Sequence, residues 1–270
     1  MGDPVAEPLY RMIAEDLRRK IESGELPKER RGPLPTEGEL QKEFGASRNT
    51  IREAIKWLIT LDLVETRPGQ GTFVVEKPVP LVSTLTGDPG GGTTAPYFAE
   101  VAASGRRPTD SEPKVEIQHA TGAVARALRL DDDAQVVSRH QRRSIDDTPW
   151  SLQTTFYPMS LVEQGATRLI LPTDIPEGAV TYLAQQCDLK QVGYRDTIAV
   201  RPPEAAEARF FRLPADGRIS VFEIYRVGFD EKGQRIRLTV TVYPADRNRF
   251  RVEVGKVPSR KDGVDSTTDT

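Results

Sequence analysis

The residues best suited to specific chemistry lie close together near the start of the chain. Ser47, Arg48 and Asn49 are consecutive, and Arg52 follows four positions after the first arginine. On a helix, residues four positions apart share one face. Arginine can donate two hydrogen bonds to guanine, and asparagine can pair in a similar way with adenine. The four side chains therefore predict contacts to the bases of a nucleic acid.

Three predicted helices position these side chains. Apolar residues recur every four positions from Leu9 to Ile21 and indicate a first helix. Thr36 and Glu39 fit a capping box, in which the hydroxyl and the carboxylate each accept a hydrogen bond from a free amide, so a second helix begins at Thr36. A third helix with one apolar face begins at Ser47. Because only two residues separate the second and third helices, the pattern predicts a helix-turn-helix.

A short hairpin follows the third helix. Residues 63–67 and 72–75 have the pattern of strands around a turn with two glycines. Such a wing can reach a minor groove or phosphates, and its glycines allow close backbone approach. The first turn of the last helix in a helix-turn-helix enters the major groove. The predicted DNA contacts are Thr36, Ser47, Arg48, Asn49, Thr50, Arg52, Arg67, Gly69 and Gln70.

The overall composition limits the possible classes of function. The 270 residues carry a net charge of −2, which excludes a uniformly basic coat for nucleic acid. Residues 1–76 contain 12 Lys and Arg against 14 Asp and Glu, so DNA binding requires basic side chains gathered on one face. The alternative interpretation is a three-helix scaffold with ordinary solvated charges.

Few side chains are available for metal or catalytic chemistry. Cys187 is the single cysteine and His119 and His140 are the only histidines, so no disulfide framework, metal site or cofactor is expected. The residues form no recognisable acid–base set, so no catalytic residue and no enzyme are expected. Because no stretch of about 18 apolar residues and no signal-peptide layout occur, we expect a cytoplasmic protein without a membrane span.

The rest of the chain has a different pattern. After a predicted DNA-binding domain at 1–76, residues 77–94 are rich in proline, glycine and threonine and predict a linker. Residues 95–254 alternate strand-like and helical segments and predict an α+β domain, and residues 255–270 predict a disordered tail. The main strands are expected at 114–119, 136–144, 150–157, 194–201, 221–230 and 236–243.

The first domain resembles a known family. Residues 34–37, 44–54 and 69–74 resemble the winged-helix domain of GntR-superfamily transcription regulators. In that family, the positions of Ser47, Arg48, Asn49 and Arg52 contact the operator. Gly38 stands where the family usually has a further DNA-contacting arginine, so that contact is absent here.

The second domain resembles the HutC-type effector domain called UTRA. The resemblance is carried by Arg139, by residues 147–149 and 155–158, and by residues 243–250. It implies an α+β fold class overall: an N-terminal winged helix-turn-helix domain plus a C-terminal α+β UTRA domain with a chorismate-lyase-like fold and an antiparallel sheet.

The UTRA resemblance also implies a site for a small effector. Its expected residues are Arg139, Arg143, Thr155, Tyr157, Arg237 and Tyr243. Members that bind phosphorylated amino sugars usually have glutamate at the position of Arg237, so a ligand with a carboxylate or phosphate is expected instead. Alternatively, Arg139, Arg143 and Arg237 pair with Glu223, Asp146 or Asp147 on an exposed sheet face. The loop 90–94 is either an anion-binding nest or a plain linker.

Together these patterns predict a transcription regulator of the repressor type. The family implies a homodimer that binds palindromic double-stranded operator DNA at the nucleoid, with binding modulated by the effector. One alternative is a DNA-binding regulator whose C-terminal domain binds no ligand and only dimerises. A second alternative is an enzyme of chorismate-lyase-like fold, which the missing acid–base set disfavours.

Overall fold

The chain folds into two compact units, Met1–Pro78 and Val79–Thr270. The computed structural model describes residues 7–27, 32–61, 63–75, 79–88, 94–131, 133–214 and 217–255. Of the expected disordered tail at 255–270, residues 256–270 lie outside these described residues, as do residues 90–93 of the expected anion nest at 90–94.

The first unit contains three helices and a two-stranded hairpin. The elements are α1 (Leu9–Glu22), α2 (Glu37–Phe44), α3 (Arg48–Thr60), β1 (Val64–Arg67) and β2 (Gly71–Val74). Their apolar faces pack into one core around Leu17, Leu40, Ile51 and Leu58, which are fully buried. Leu9 was expected on this apolar face but is exposed, because it is the first residue of α1 and the packing begins at Tyr10 and Ile13.

Local signals define the turn between α2 and α3. The predicted capping box is confirmed, since the Thr36 amide donates to the Glu39 carboxylate at 2.7 Å and the Glu39 amide donates to the Thr36 hydroxyl at 3.3 Å. Gly45 ends α2 in the left-handed conformation, with φ of 59°. A residue with a side chain is strained there, so glycine permits the abrupt turn into α3.

The second unit is an α+β domain around one sheet. Its strands are β3 (Leu81–Thr84), β4 (Pro108–Asp110), β5 (Lys114–His119), β6 (Gln135–Ile145), β7 (Thr148–Pro158), β8 (Gln191–Arg201), β9 (Val221–Asp230), β10 (Arg235–Pro244) and β11 (Asn248–Arg251). Its helices are α4 (Thr94–Ala103), α5 (Gly122–Leu128), α6 (Met159–Glu163), α7 (Ala179–Cys187) and α8 (Ala205–Phe211), with a 3-10 helix at Thr167–Ile170.

The seven-stranded sheet is antiparallel throughout. The strand order is β4-β6-β7-β10-β9-β8, and β5 also pairs with β6. The β6–β7 hairpin turns through Asp146 and Asp147, both with positive φ, which matches the twist of a two-residue hairpin. The predicted fold class is confirmed.

The two faces of this sheet have different coverings. α5 and α8 pack on the apolar face, against side chains that include Leu238 and Val242. The opposite face has polar residues at its centre. It is covered at one end by α6, the 3-10 helix and α7, and at the other by α4 and β3.

The expected linker at 77–94 is not irregular chain throughout. Residues 81–84 form β3, which pairs in parallel with β11, and the Leu81 amide donates to the Arg247 carbonyl at 3.0 Å. Leu81 is buried with Tyr97 and Trp150. This strand was not predicted, because the segment is rich in proline and glycine and because its pairing partner lies more than 160 positions later in the chain. The short strands β4 and β11 and the helix α6 were also missed.

Candidate nucleic-acid interface and ligand cavity

The predicted DNA-contacting residues at the start of α3 form one exposed surface. Ser47, Arg48 and Asn49 are exposed, and the side chains of Arg48 and Arg52 are 64% and 51% accessible. Ser47 caps α3, since its hydroxyl accepts a hydrogen bond from the Thr50 amide at 3.2 Å. The structure therefore places polar groups and a helix N-terminus together, as major-groove binding requires.

Glu37 holds the two arginines of this surface, a role that the sequence analysis missed. Arg48 Nε donates to Glu37 Oε2 at 2.8 Å, and Arg52 Nε donates to Glu37 Oε1 at 3.0 Å. These hydrogen bonds, with Arg48 the stronger influence, hold the pKa of the Glu37 carboxyl below its usual value. Glu37 lies 11 and 15 positions before its partners, so only the turn between α2 and α3 brings them together.

The threonines predicted to contact DNA also have structural roles. The Thr36 hydroxyl donates to the Glu39 carboxylate at 2.8 Å, and the Thr50 hydroxyl lies 2.8 Å from the Ser47 hydroxyl. Because Thr36 caps α2 and the Thr50 hydroxyl contacts the hydroxyl of the Ser47 cap, these local contacts explain both residues without DNA. Their predicted contacts to DNA stay a prediction.

The wing exposes its predicted residues at the hairpin turn. Arg67, Gly69 and Gln70 are exposed, and Gly69 has a left-handed φ of 72°. Arg67 Nε donates to Glu65 at 2.7 Å, and its guanidinium carbon lies 4.3 Å from the centre of the Phe73 ring. These contacts keep Arg67 along the hairpin with its charge accessible.

The second unit contains a cavity of about 310 Å³ on the polar face of the sheet. It is larger than a neighbouring cavity of about 90 Å³ on that face, and we call it the larger cavity. β6, β7 and β10 form its floor, and residues 174–181 lie across it. Four of the six predicted effector residues line it: Arg139, Thr155, Tyr157 and Arg237. Alternate residues of a strand share one face, which explains why 139, 155, 157 and 237 meet there.

The other two predicted effector residues line a different space. Arg143 and Tyr243 border a smaller cavity of about 90 Å³, near β3 and α4. Gln153 lines both cavities and therefore lies between them. The sequence analysis placed all six residues in one site, but the structure separates them because they extend along the strands. Their binding of an effector stays a prediction.

Arg237 is a buried cation that has no carboxylate partner among the described residues. It is 2% exposed, its Nε donates to Gln191 Oε1 at 2.8 Å, and its Nη1 donates to Thr239 Oγ1 at 2.5 Å. Its Nη2 is buried, and no described residue accepts a hydrogen bond from it. Burial lowers the pKa of Arg237 below its usual value, although arginine remains charged in proteins. Arg237, which carries this unsatisfied donor, is one of the residues that line the larger cavity.

Arg139 and Arg143 have partners within the protein. Arg139 is 6% exposed and donates to the carbonyl oxygens of Leu169 and Leu171, both at 2.8 Å. Arg143 is 1% exposed, and its Nε lies 3.2 Å from Asp110 Oδ1. Burial raises the pKa of Asp110, and the charge of Arg143 opposes that shift.

The expected alternative, in which these arginines pair with acids on an exposed face, is wrong. All three arginines are buried: Arg139 and Arg237 lie beneath residues 174–181, and Arg143 lies against the Tyr97 ring of α4. Glu223 instead binds Arg201 at 2.8 Å, and Asp146 binds Arg106 at 2.9 Å. Asp147 lies 3.6 Å from Arg107.

Among the described residues, no group of three or more His, Cys, Asp or Glu is arranged to hold a metal ion. Among the same residues, every helix is too short or too polar to cross a membrane.

The two units define a class of protein. The first is a winged helix-turn-helix with an exposed arginine pair, and the second is an α+β domain with a polar internal cavity. Residues 9–74 match the family described as bacterial regulatory proteins, gntR family, and residues 103–249 match the UTRA domain. The chain belongs to the GntR family of bacterial regulators and carries a UTRA domain.

Individual relatives agree with this assignment. The mannosyl-D-glycerate transport/metabolism system repressor MngR of Escherichia coli (strain K12) is 32% identical over 157 residues, which are 57% of this chain and 60% of the repressor. This match spans less than two thirds of that relative. The histidine utilization repressor of Pseudomonas putida is 38% identical over 76 residues, which are 28% of this chain and 29% of that protein.

A solved structure extends the similarity to both units. The crystal structure of a GntR-family transcriptional regulator has a TM-score of 0.59 and 29% sequence identity. The match covers 93% of this chain and 99% of that structure. The order of a winged-helix unit followed by a UTRA domain is therefore shared.

Proposed function

We propose that the protein is a transcription repressor whose operator binding is modulated by a small anionic effector. Residues 1–76 are the DNA-binding domain and residues 95–254 bind the effector and dimerise. The protein catalyses no reaction. It acts at the nucleoid, where its operator DNA lies. Family membership and the exposed Arg48 and Arg52 support the DNA-binding part. The observation that carries the effector part is the buried Nη2 of Arg237, which lacks an acceptor in the described chain.

The DNA-binding part is tested by selecting bound sequences from a random DNA pool with the full chain at fixed salt. A palindromic consensus is expected, because a two-fold dimer reads two half-sites. Failure to recover any consensus from folded protein, with and without a panel of anionic metabolites, would contradict sequence-specific binding.

Arg48→Ala tests the role of α3. We expect it to weaken operator binding by about 1–3 kcal/mol and to relax the sequence preference at one base position. Arg19→Ala is the charge-matched control, because Arg19 is exposed on α1 and pairs with Asp16 of the same helix. Equal affinities of both variants for the selected operator would rule out the assignment of Arg48.

The edge of the sheet supports the proposed homodimer. β8 is the last strand in the sheet order, and its Val192, Ile198 and Val200 are exposed. An unpaired strand edge with apolar side chains is a template for pairing with another chain. Sedimentation of the full chain is expected to give a dimer at micromolar concentration, and a monomer there would contradict the proposal.

The effector part is tested by displacement from the operator. Arg237→Gln is expected to bind the operator normally but to lose its response to anionic metabolites. If the wild-type chain shows no heat of binding and no operator release with any of them, the C-terminal domain serves only to dimerise.

A further inference from the structure

The charges around the larger cavity limit the class of molecule that it can hold. The only arginines that line it are Arg139 and Arg237, within the described chain. Arg139 uses three of its N–H groups on the carbonyl oxygens of the turn that follows the 3-10 helix, at 2.8, 2.8 and 2.7 Å. Most of its hydrogen-bonding capacity is therefore used within the protein, on residues 169–173.

Arg237 is the cation that remains available. Gln191 and Thr239 hold its Nε and Nη1, so the guanidinium cannot turn freely. No carboxylate of the described residues lies within ion-pair distance of it. Its Nη2 is buried without an acceptor among those residues, and Arg237 is one of the residues that line the cavity. A buried N–H group that lacks an acceptor has lost its hydrogen bond to water without gaining another. This favours binding of one anionic group with two acceptor oxygens.

The acidic residues of the cavity oppose a second negative charge. Asp110 is held by Arg143 at 3.2 Å, and Glu177 accepts hydrogen bonds from Arg168 at 2.5 and 3.2 Å. Asp174 also lines the cavity, and no described residue forms an ion pair with it. A phosphate monoester carries a charge of about −1.5 to −2 at neutral pH. One guanidinium neutralises only part of that charge, and the remainder faces these acids.

The uncharged lining residues suit hydroxyl groups. Gln141, Gln153, Thr155 and Thr181 line the same space, and amide and hydroxyl groups both donate and accept hydrogen bonds. The volume of about 310 Å³ lies at the small end of ligand cavities. The lining therefore matches a compact, hydroxylated molecule with one negative charge.

We infer that the effector is a hydroxylated monocarboxylate, of the sugar-acid or hydroxy-acid class, and that the cavity discriminates against phosphate monoesters. The carboxylate binds the Nη1–Nη2 edge of Arg237, and the hydroxyls face the amide and threonine side chains. This inference rests on the proposed function, because it assigns the larger cavity as the effector site.

Matched pairs of ligands test the charge requirement. Glucuronate and glucose 6-phosphate place their anion on the same carbon of a hexose, and glycerate and glycerol 3-phosphate form a three-carbon pair. Glucose and glycerol are the neutral controls. Calorimetry with the full chain, up to millimolar ligand, is expected to show at least tenfold tighter binding of one carboxylate than of its phosphate partner. Equal or tighter binding of the phosphates overturns the inference, as does silence toward both classes.

Variants locate the binding at Arg237. Arg237→Gln is expected to weaken carboxylate binding at least tenfold, whereas Arg237→Lys retains part of it because the charge remains. Arg209→Gln is the matched control, since Arg209 is exposed on α8, which packs on the face of the sheet opposite the cavity. Urea unfolding checks that each variant folds. Wild-type binding by Arg237→Gln overturns the inference. If that variant does not fold, Arg237→Lys and the ligand pairs with the wild-type chain still decide it.

The operator separates this inference from the proposed function. Carboxylate binding without operator release supports the ligand class and contradicts the effector role. Operator release by phosphates alone supports the effector role and overturns the ligand class.

Discussion

Gly228 provides the space in which Gln191 holds Arg237, and replacing it tests how the cavity is built. Gly228 is buried on β9, directly opposite Arg237 in the pairing of β9 with β10. A Cβ atom at this position lies 2.2 Å from Gln191 Oε1 and 3.3 Å from Arg237 Cγ. Gly228→Ala therefore forces the Gln191 amide away from Arg237.

The expected cost follows from the hydrogen bond that is lost. The backbone at Gly228 has no left-handed φ, so alanine adds no backbone strain. The Gln191 amide is the end of a flexible side chain and can move, but Arg237 Nε then loses its acceptor at 2.8 Å. A hydrogen bond to a charged group is worth about 1.5–3 kcal/mol. We expect Gly228→Ala to lower the free energy of unfolding of the second unit by about this amount, and to weaken glucuronate binding.

A double-mutant cycle with Gln191→Ala tests the mechanism. If both changes act by removing the same acceptor, the double variant costs about as much as Gln191→Ala alone. The assay is urea unfolding followed by Trp150 fluorescence in a Trp57→Phe background, because each unit contains one of the two tryptophans. Additive costs, or wild-type stability of Gly228→Ala, would refute the proposed role of Gly228.

Two further substitutions test charges elsewhere. Glu37→Gln is expected to raise the affinity for random-sequence DNA by up to about fivefold, equivalent to the ~1 kcal/mol of an exposed ion pair, and to lower the ratio of operator to random affinity. Fluorescence anisotropy measures both affinities. An unchanged ratio contradicts the role of Glu37 in holding Arg48 and Arg52. Glu223→Gln is expected to flatten the loss of stability in acid. Arg201 holds the pKa of Glu223 below its usual value, so this stabilisation is present above the unfolded pKa of about 4.3 and is lost as pH falls through the lower folded value. Urea unfolding at pH 7, 5 and 3 checks the slope, and parallel curves for wild type and variant refute it.

The first unit was largely predictable because its signals are local. The capping box at Thr36 and Glu39, the glycine at 45 and the cap at Ser47 act within three or four positions of the chain. The periodic apolar residues then assign the core faces of three consecutive helices. Glu37 was missed because its partners are 11 and 15 positions away and its own neighbours do not distinguish it from an ordinary helix-start acid.

The second unit was predictable in its strands but not in its cavity. Alternation along β10 separates Arg237, Thr239 and Thr241 from Leu238 and Val242, and it correctly assigns them to opposite faces. Alternation cannot show whether the polar face meets water. The covering residues 174–181 and the holding residue Gln191 are 46 to 63 positions from Arg237, and no local pattern connects them.

The sequence by itself determined the winged helix-turn-helix, the α+β order of the second unit and the arginines of both candidate sites. Only the tertiary structure decided that Arg139 holds a turn, that Arg143 pairs with Asp110, and that Arg237 has a buried Nη2 without an acceptor among the described residues. The physical reason is that helix caps and strand alternation depend on neighbouring residues. Whether a charged side chain can bind a ligand depends instead on distant residues, which exclude water from it or accept its hydrogen bonds.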